Sequence, residues 1–140
     1  MKANSLFSFS KVHVISRTEG PDKRPYMIRY SLIETPWFGI KLHVFLRSDD
    51  DCLHDHPWGF MSFILAGEYI EVTDAGQNLR KRFSLAFRRA EHRHRVVLVD
   101  GLQPVVTFLI NGPRRREWGF WTPKGWVQWF KYGGGKCLIP

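Results

Sequence analysis

The chain predicts an all-β fold, an antiparallel jelly-roll barrel or sandwich, on three observations. Turn-forming clusters of Gly, Pro, Asn and Asp recur about every eight to twelve residues. The segments between them alternate in character with period two, or run in β-branched and aromatic residues. No segment carries a persuasive helical period. The 6 Trp, 11 Phe and 4 Tyr in 140 residues suit a β core and aromatic-lined pockets.

The elements follow in order. Val12–Ser16 is a short apolar run before the turn residues Glu19-Gly20-Pro21-Asp22. Tyr26–Ile33 is β-branched and aromatic, and Pro36 ends it. Ile40–Arg47 alternates: Ile40, Leu42, Val44 and Leu46 share one face, and Lys41, His43, Phe45 and Arg47 the other. The polar turn Ser48-Asp49-Asp50-Asp51 follows. Ser62–Leu65 and Glu68–Thr73 flank the hairpin-like break Ala66-Gly67, and Asp74-Ala75-Gly76-Gln77 is a turn. Leu79–Phe83 reads as a basic strand, and a short helix near Ala86–Glu91 is the one helical expectation. Arg93–Val99 is a strong strand closed by Asp100-Gly101, and Pro104–Ile110 is the next. Asn111-Gly112-Pro113 turns the chain toward Trp118–Trp121 and Trp126–Tyr132. Gly133-Gly134-Gly135 should form a flexible tail.

Length fits one domain over residues 1–140, with no visible linker or repeat. Apolar residues make up 44%, which excludes disorder by composition. No apolar run reaches the ~18 residues of a membrane span, and Met1–Val12 does not resemble a signal peptide. Cys52 and Cys137 are too few for a disulfide scaffold, so a cytoplasmic location with free thiols is expected. The net charge of +8 favours acidic partners. Its carriers fall in Arg80-Lys81-Arg82, Arg88-Arg89, Arg93 with Arg95, and Arg114-Arg115-Arg116. Arginine there suits an anionic small substrate, or nucleic acid with Phe83, Phe87 and Trp118 interleaved. A solvated face explains any one run equally well. Arg93 and Arg95 would face outward.

Leu53-His54-Asp55-His56-Pro57-Trp58 carries the most chemistry. In extended backbone His54 and His56 project to one face, where two neutral imidazoles can grip a divalent ion. His92 and His94 form a second pair, on the face of Val96 and Leu98, which looks inward. Imidazoles on an apolar face need partners, and a metal is one; ordinary polar packing is the alternative. Asp55 points away from its neighbours and suits a supporting or turn role. Trp58 and Phe60 share the parity of His54 and His56 and would wall the pocket, or serve as core aromatics.

This layout resembles the cupin superfamily, small double-stranded β-helix barrels. Their first motif runs from a glycine through His-x-His and a glutamate to a closing glycine. His54 and His56 match the histidines and Gly67 the closing glycine. Ser48 stands at the opening glycine, and Phe60 (or Met61 on the longer spacing) at the glutamate. The second motif's histidine matches His94, with His92 as fallback. Arg89, Glu91 and Leu98 replace that motif's usual Pro, Gly and Asn. The resemblance covers roughly residues 38–110.

The resemblance implies a centre of His54, His56 and His94 holding a divalent transition metal, with Fe(II) favoured and Zn, Ni, Mn or Cu as options. Glu68 or Glu91 would have to supply any further carboxylate. Thiol dioxygenases of the cupin group resemble such a three-histidine set, which implies a dioxygenase-type oxidoreductase acting on a small molecule. A non-enzymatic cupin-like binding or structural protein is the other reading. Cupins often pair through outer strands, which implies a homodimer.

Overall fold

Among the described residues twelve antiparallel strands build two facing layers. The structure, a computed structural model, describes residues 8–16, 25–49, 51–99, 104–132 and Cys137. The expected turns at Glu19–Asp22 and Asp100-Gly101 and the tail Gly133–Gly135 lie outside the described residues. The strands are β1 (Ser8–Ser16), β2 (Pro25–Glu34), β3 (Gly39–Phe45), β4 (Leu53–His54), β5 (Phe60–Ala66), β6 (Tyr69–Thr73), β7 (Gly76–Arg80), β8 (Leu85–Arg88), β9 (Arg95–Leu98), β10 (Val105–Asn111), β11 (Gly119–Thr122) and β12 (Gly125–Gln128). A 3-10 turn at Trp129–Lys131 follows.

One layer is a six-stranded sheet in the order β1-β2-β3-β10-β5-β8. The other consists of two three-stranded sheets, β12-β11-β4 and β7-β6-β9. A single bridge between His54 and His94 joins them. Each of these two residues donates its N–H to the other's carbonyl, at 2.9 and 3.0 Å. The second layer is thus continuous through two histidines. Ile64, Tyr69, Val96, Leu98 and Val105 pack between the layers with Phe45 against them.

The two faces of β3 resolve into an inner and an outer one. Lys41 and His43 are buried, and Ile40, Leu42 and Val44 lie on the outer side, half-buried. The register carries this across the sheet. Ile28 and Tyr30 oppose Val44 and Leu42, which oppose Val106 and Phe108. Phe108 opposes Phe63, which opposes Leu85. The outer face is apolar from β1 to β8, whereas Ser31, Lys41, His43, Ser62, Thr107 and Asn111 line the inner one.

Three expectations are corrected. The helix near Ala86–Glu91 is strand β8, because Ala86 is buried between exposed Leu85 and Phe87 and pairs with Ser62. The basic strand Leu79–Phe83 ends at Arg80, and Phe83 turns the chain with φ +67°. The cysteines are not free thiols: Cys52 and Cys137 form a disulfide with Cα atoms 4.8 Å apart. A compartment argument carried no information on which side chains the fold brings together. Among the described residues no helix is long and apolar enough to cross a membrane.

Candidate metal centre

The seam between the two small sheets gathers the histidines. His54 ends β4, His94 leads into β9, and the bridge fixes them side by side. His56 follows β4 and is held by its N–H bond to Ala90 O at 3.0 Å. Ring centroids of His54, His56 and His94 lie 4.9 to 5.1 Å apart. One ring nitrogen from each falls within 4.8 Å of the other two.

The outward nitrogens already have neighbours. His56 Nδ1 lies 3.2 Å from the His92 carbonyl oxygen, an acceptor that calls for N–H at that position. His54 Nδ1 faces Asp49 Oδ2 at 3.6 Å, and His94 Nδ1 faces Glu71 Oε2 at 3.5 Å. One ring nitrogen of each histidine converges on the other two, and three neutral imidazoles so gathered fit a divalent transition metal. Burial holds His54 and His56 well below the usual histidine pKa, reinforced by neighbouring imidazoles. The rings are therefore neutral, the form that coordinates.

Glu71 is the carboxylate that sequence reasoning missed. It is buried on the inner face of β6, opposite Val96 of β9. Its Oε1 receives Arg88 Nη2 at 2.8 Å and lies 3.2 Å from His92 Nε2. Burial would raise its pKa, but the bonds from His92, His94 and Arg88 prevail and hold it well below the usual carboxylate range. Glu71, His92 and His94 form a second potential ligand group sharing His94 with the first. Glu68 and Glu91 are exposed. The β6–β9 register places Glu71 beside His94.

Phe60 lies 4.6 Å from the His56 ring, and Trp58 stacks on it at 6.1 Å. Asp55 turns away, buried, and binds the C-terminal hairpin. It accepts from Gly119 N, Trp121 Nε1 and Trp126 Nε1 at 2.8 to 3.1 Å and pairs with Arg116 at 3.0 Å. The basic runs are dispersed: Arg88 turns inward to Glu71, Arg93 pairs with Asp74, and Arg95 with Asp51.

No protein-family model and no curated protein sequence matches the chain. Solved structures do. A crystal structure of Fe(II) HppE aligns at TM-score 0.60 and 17% identity, over 73% of this chain and 56% of that one. DMSP lyase DddQ from Ruegeria pomeroyi aligns at 0.59 and 17%, over 74% and 56%. An RmlC-like cupin from Shewanella frigidimarina aligns at 0.57 and 16%, over 83% and 97%. The chain thus spans little more than half the length of the first two and nearly all of the third. The two apposed layers and these neighbours assign the chain the fold of the cupin superfamily.

Proposed function

We propose that this protein is a metal-dependent oxidoreductase of the dioxygenase kind acting on a small anionic molecule. His54, His56 and His94 are its ligands and Fe(II) the favoured ion. The observation that carries the reading is the convergence of three imidazole nitrogens within 4.8 Å, each ring backed by a protein oxygen. Fe(II) HppE, among the similar folds, supports the choice of metal. A three-histidine set would leave open positions where the ion can orient substrate and activate dioxygen. The chain's own residues do the rest. Glu71 fixes the His94 ring and stays ionised, and Trp58 and Phe60 exclude water beside His56.

Metal analysis of protein purified without a histidine tag and reconstituted anaerobically with Fe(II) tests this. Near one equivalent is expected, and loss of it in His54→Ala. Less than about a tenth of an equivalent of any transition metal overturns it.

The same reading includes a homodimer joined through the outer face of the six-stranded sheet. Val12, Val14, Tyr30, Leu32, Leu85 and Phe87 are exposed there. Six strands about 4.8 Å apart and about seven residues long cover roughly 550 Å². That is at the upper end of what monomers expose. Light scattering should give twice the chain mass, and the chain mass for Phe87→Glu combined with Val14→Glu. A monomeric wild type refutes the dimer.

A further inference from the structure

The inner face of β2 and β3 carries charge that the metal centre does not use. Arg29 opposes His43 and Ser31 opposes Lys41, so the four side chains form a square facing the other layer. Lys41 is 6% exposed. Its ammonium donates to Asn111 Oδ1 at 2.7 Å and lies 4.8 Å from the Trp58 ring centroid. Arg29 Nε donates to His43 Nε2 at 3.2 Å, so its terminal nitrogens are not used in that bond. Ser31 Oγ is buried with no hydrogen-bond partner. Among the described residues neither cation is bonded to a carboxylate, and Glu34 is the acid whose field reaches both.

A buried ammonium and a half-buried guanidinium beside an orphaned hydroxyl are costly unless an anion completes them. The position is built rather than accidental. Asn111 presents its Oδ1 to Lys41 only because residue 39 is glycine: a Cβ at Gly39 would meet that oxygen at 2.5 Å. The square also borders the histidines. Asn111 is the cross-strand neighbour of Phe60, whose ring touches His56. Trp58, under the Lys41 ammonium, stacks on His56.

We propose that Lys41, Arg29 and Ser31 bind the anionic group, a carboxylate or a phosphoryl, of a small substrate whose other end reaches across Trp58 and Phe60 to the three histidines. The orientation of that far end rests on the metal-centre reading; the anion site does not. Lys41 supplies two further N–H donors, Arg29 its guanidinium fork and Ser31 its hydroxyl.

Calorimetric titration of metal-free protein with inorganic phosphate and, separately, acetate, at constant ionic strength in chloride, tests the site without the metal. Saturable binding of at least one anion is expected, and the tighter of the two names the class. Lys41→Met and Arg29→Met should each weaken it at least about tenfold, and exposed Arg82→Gln should leave it unchanged. Lys41→Gln provides a second polar variant, and circular dichroism checks the fold of each. No saturable binding of either anion overturns the proposal, as does binding that survives both Lys41 variants. Metal content, measured on separate samples, judges the metal reading independently.

Discussion

Replacing Lys41 with methionine should make the protein more stable, although the lysine is buried and hydrogen-bonded. Burial, then the charge of Arg29, pulls its pKa from 10.5 to about 8. A depression of that size means that keeping the ammonium charged at neutral pH costs the fold about 3 kcal/mol. Methionine matches the stem in length and removes the charge. It also strips Asn111 Oδ1 of its donor, leaving Asn111 only its bond to the Gly112 carbonyl. An orphaned buried acceptor costs about 1–2 kcal/mol. The net gain is about 1–2 kcal/mol, several degrees in Tm for a chain of this size. The gain must depend on pH. The folded pKa lies below the unfolded one, so the wild type carries the full penalty below pH 8 and sheds it as pH rises toward 10.5. By about pH 9.5 the variant's advantage should have fallen by about 2 kcal/mol. Urea denaturation of metal-free protein at about pH 7 and pH 9.5 reads both quantities. A variant less stable than wild type at both values, with no change in the difference, would mean that an internal partner already neutralises Lys41, and the argument for an anion site would fall with it.

Other perturbations probe the remaining contacts. Glu71→Gln should lower metal affinity about 10- to 100-fold by releasing the His94 ring, read by competition with a chelator. It should also cost about 3 kcal/mol by leaving Arg88 without its carboxylate; unchanged affinity would remove Glu71 from the site. Asp55→Asn should cost about 3–5 kcal/mol, since an amide cannot accept from Gly119, Trp121, Trp126 and Arg116 together. A thermal melt followed by tryptophan emission measures it, and a loss below about 1 kcal/mol rejects the role. Metal-free protein should weaken on acidification. Burial holds His43, His54 and His56 well below 6.5 when folded, so their contribution is intact above pH 6.5 and lost as pH falls below it. The slope approaches about 1.4 kcal/mol per pH unit for each ring. Stability independent of pH between 7.5 and 5 would contradict their neutral burial.

The residues revealed the strands and the histidines more readily than the faces. The β-branched and aromatic run Tyr26–Ile33 and the segment Pro104–Ile110 located β2 and β10 within a residue or two. His54 and His56 were legible because a two-residue spacing in extended chain fixes their relation locally. His94 was preferred to His92 on the family motif alone, because the two share one strand face. Glu71 was hidden because its placement depends on register between strands far apart in sequence, which no local pattern encodes. The disulfide was hidden likewise: its cysteines are 85 residues apart and nothing near either marks the other.

β3 and β6 share a feature that local alternation leaves undecided. In β3 the buried side chains are Lys41 and His43, while Ile40, Leu42 and Val44 face outward, and in β6 Glu71 is buried beside Tyr69 while Ile70 and Val72 face outward. Alternation reports that a strand has two unlike surroundings, without saying which side is the interior. An apolar sheet face can be turned outward only if something else covers it, and a polar one inward only if it meets its own complement. Between the layers the Ile64–Val105 cluster is therefore flanked by the buried polar side chains of Ser31, Lys41, His43 and Thr107. The outer face of the six-stranded sheet is the surface proposed to pair with a second chain. The inverted pattern thus binds the anion site and the dimer into a single demand. If the protein proves monomeric with that face in water, the apolar exterior loses its explanation, and the polar interior becomes the feature that needs a different one.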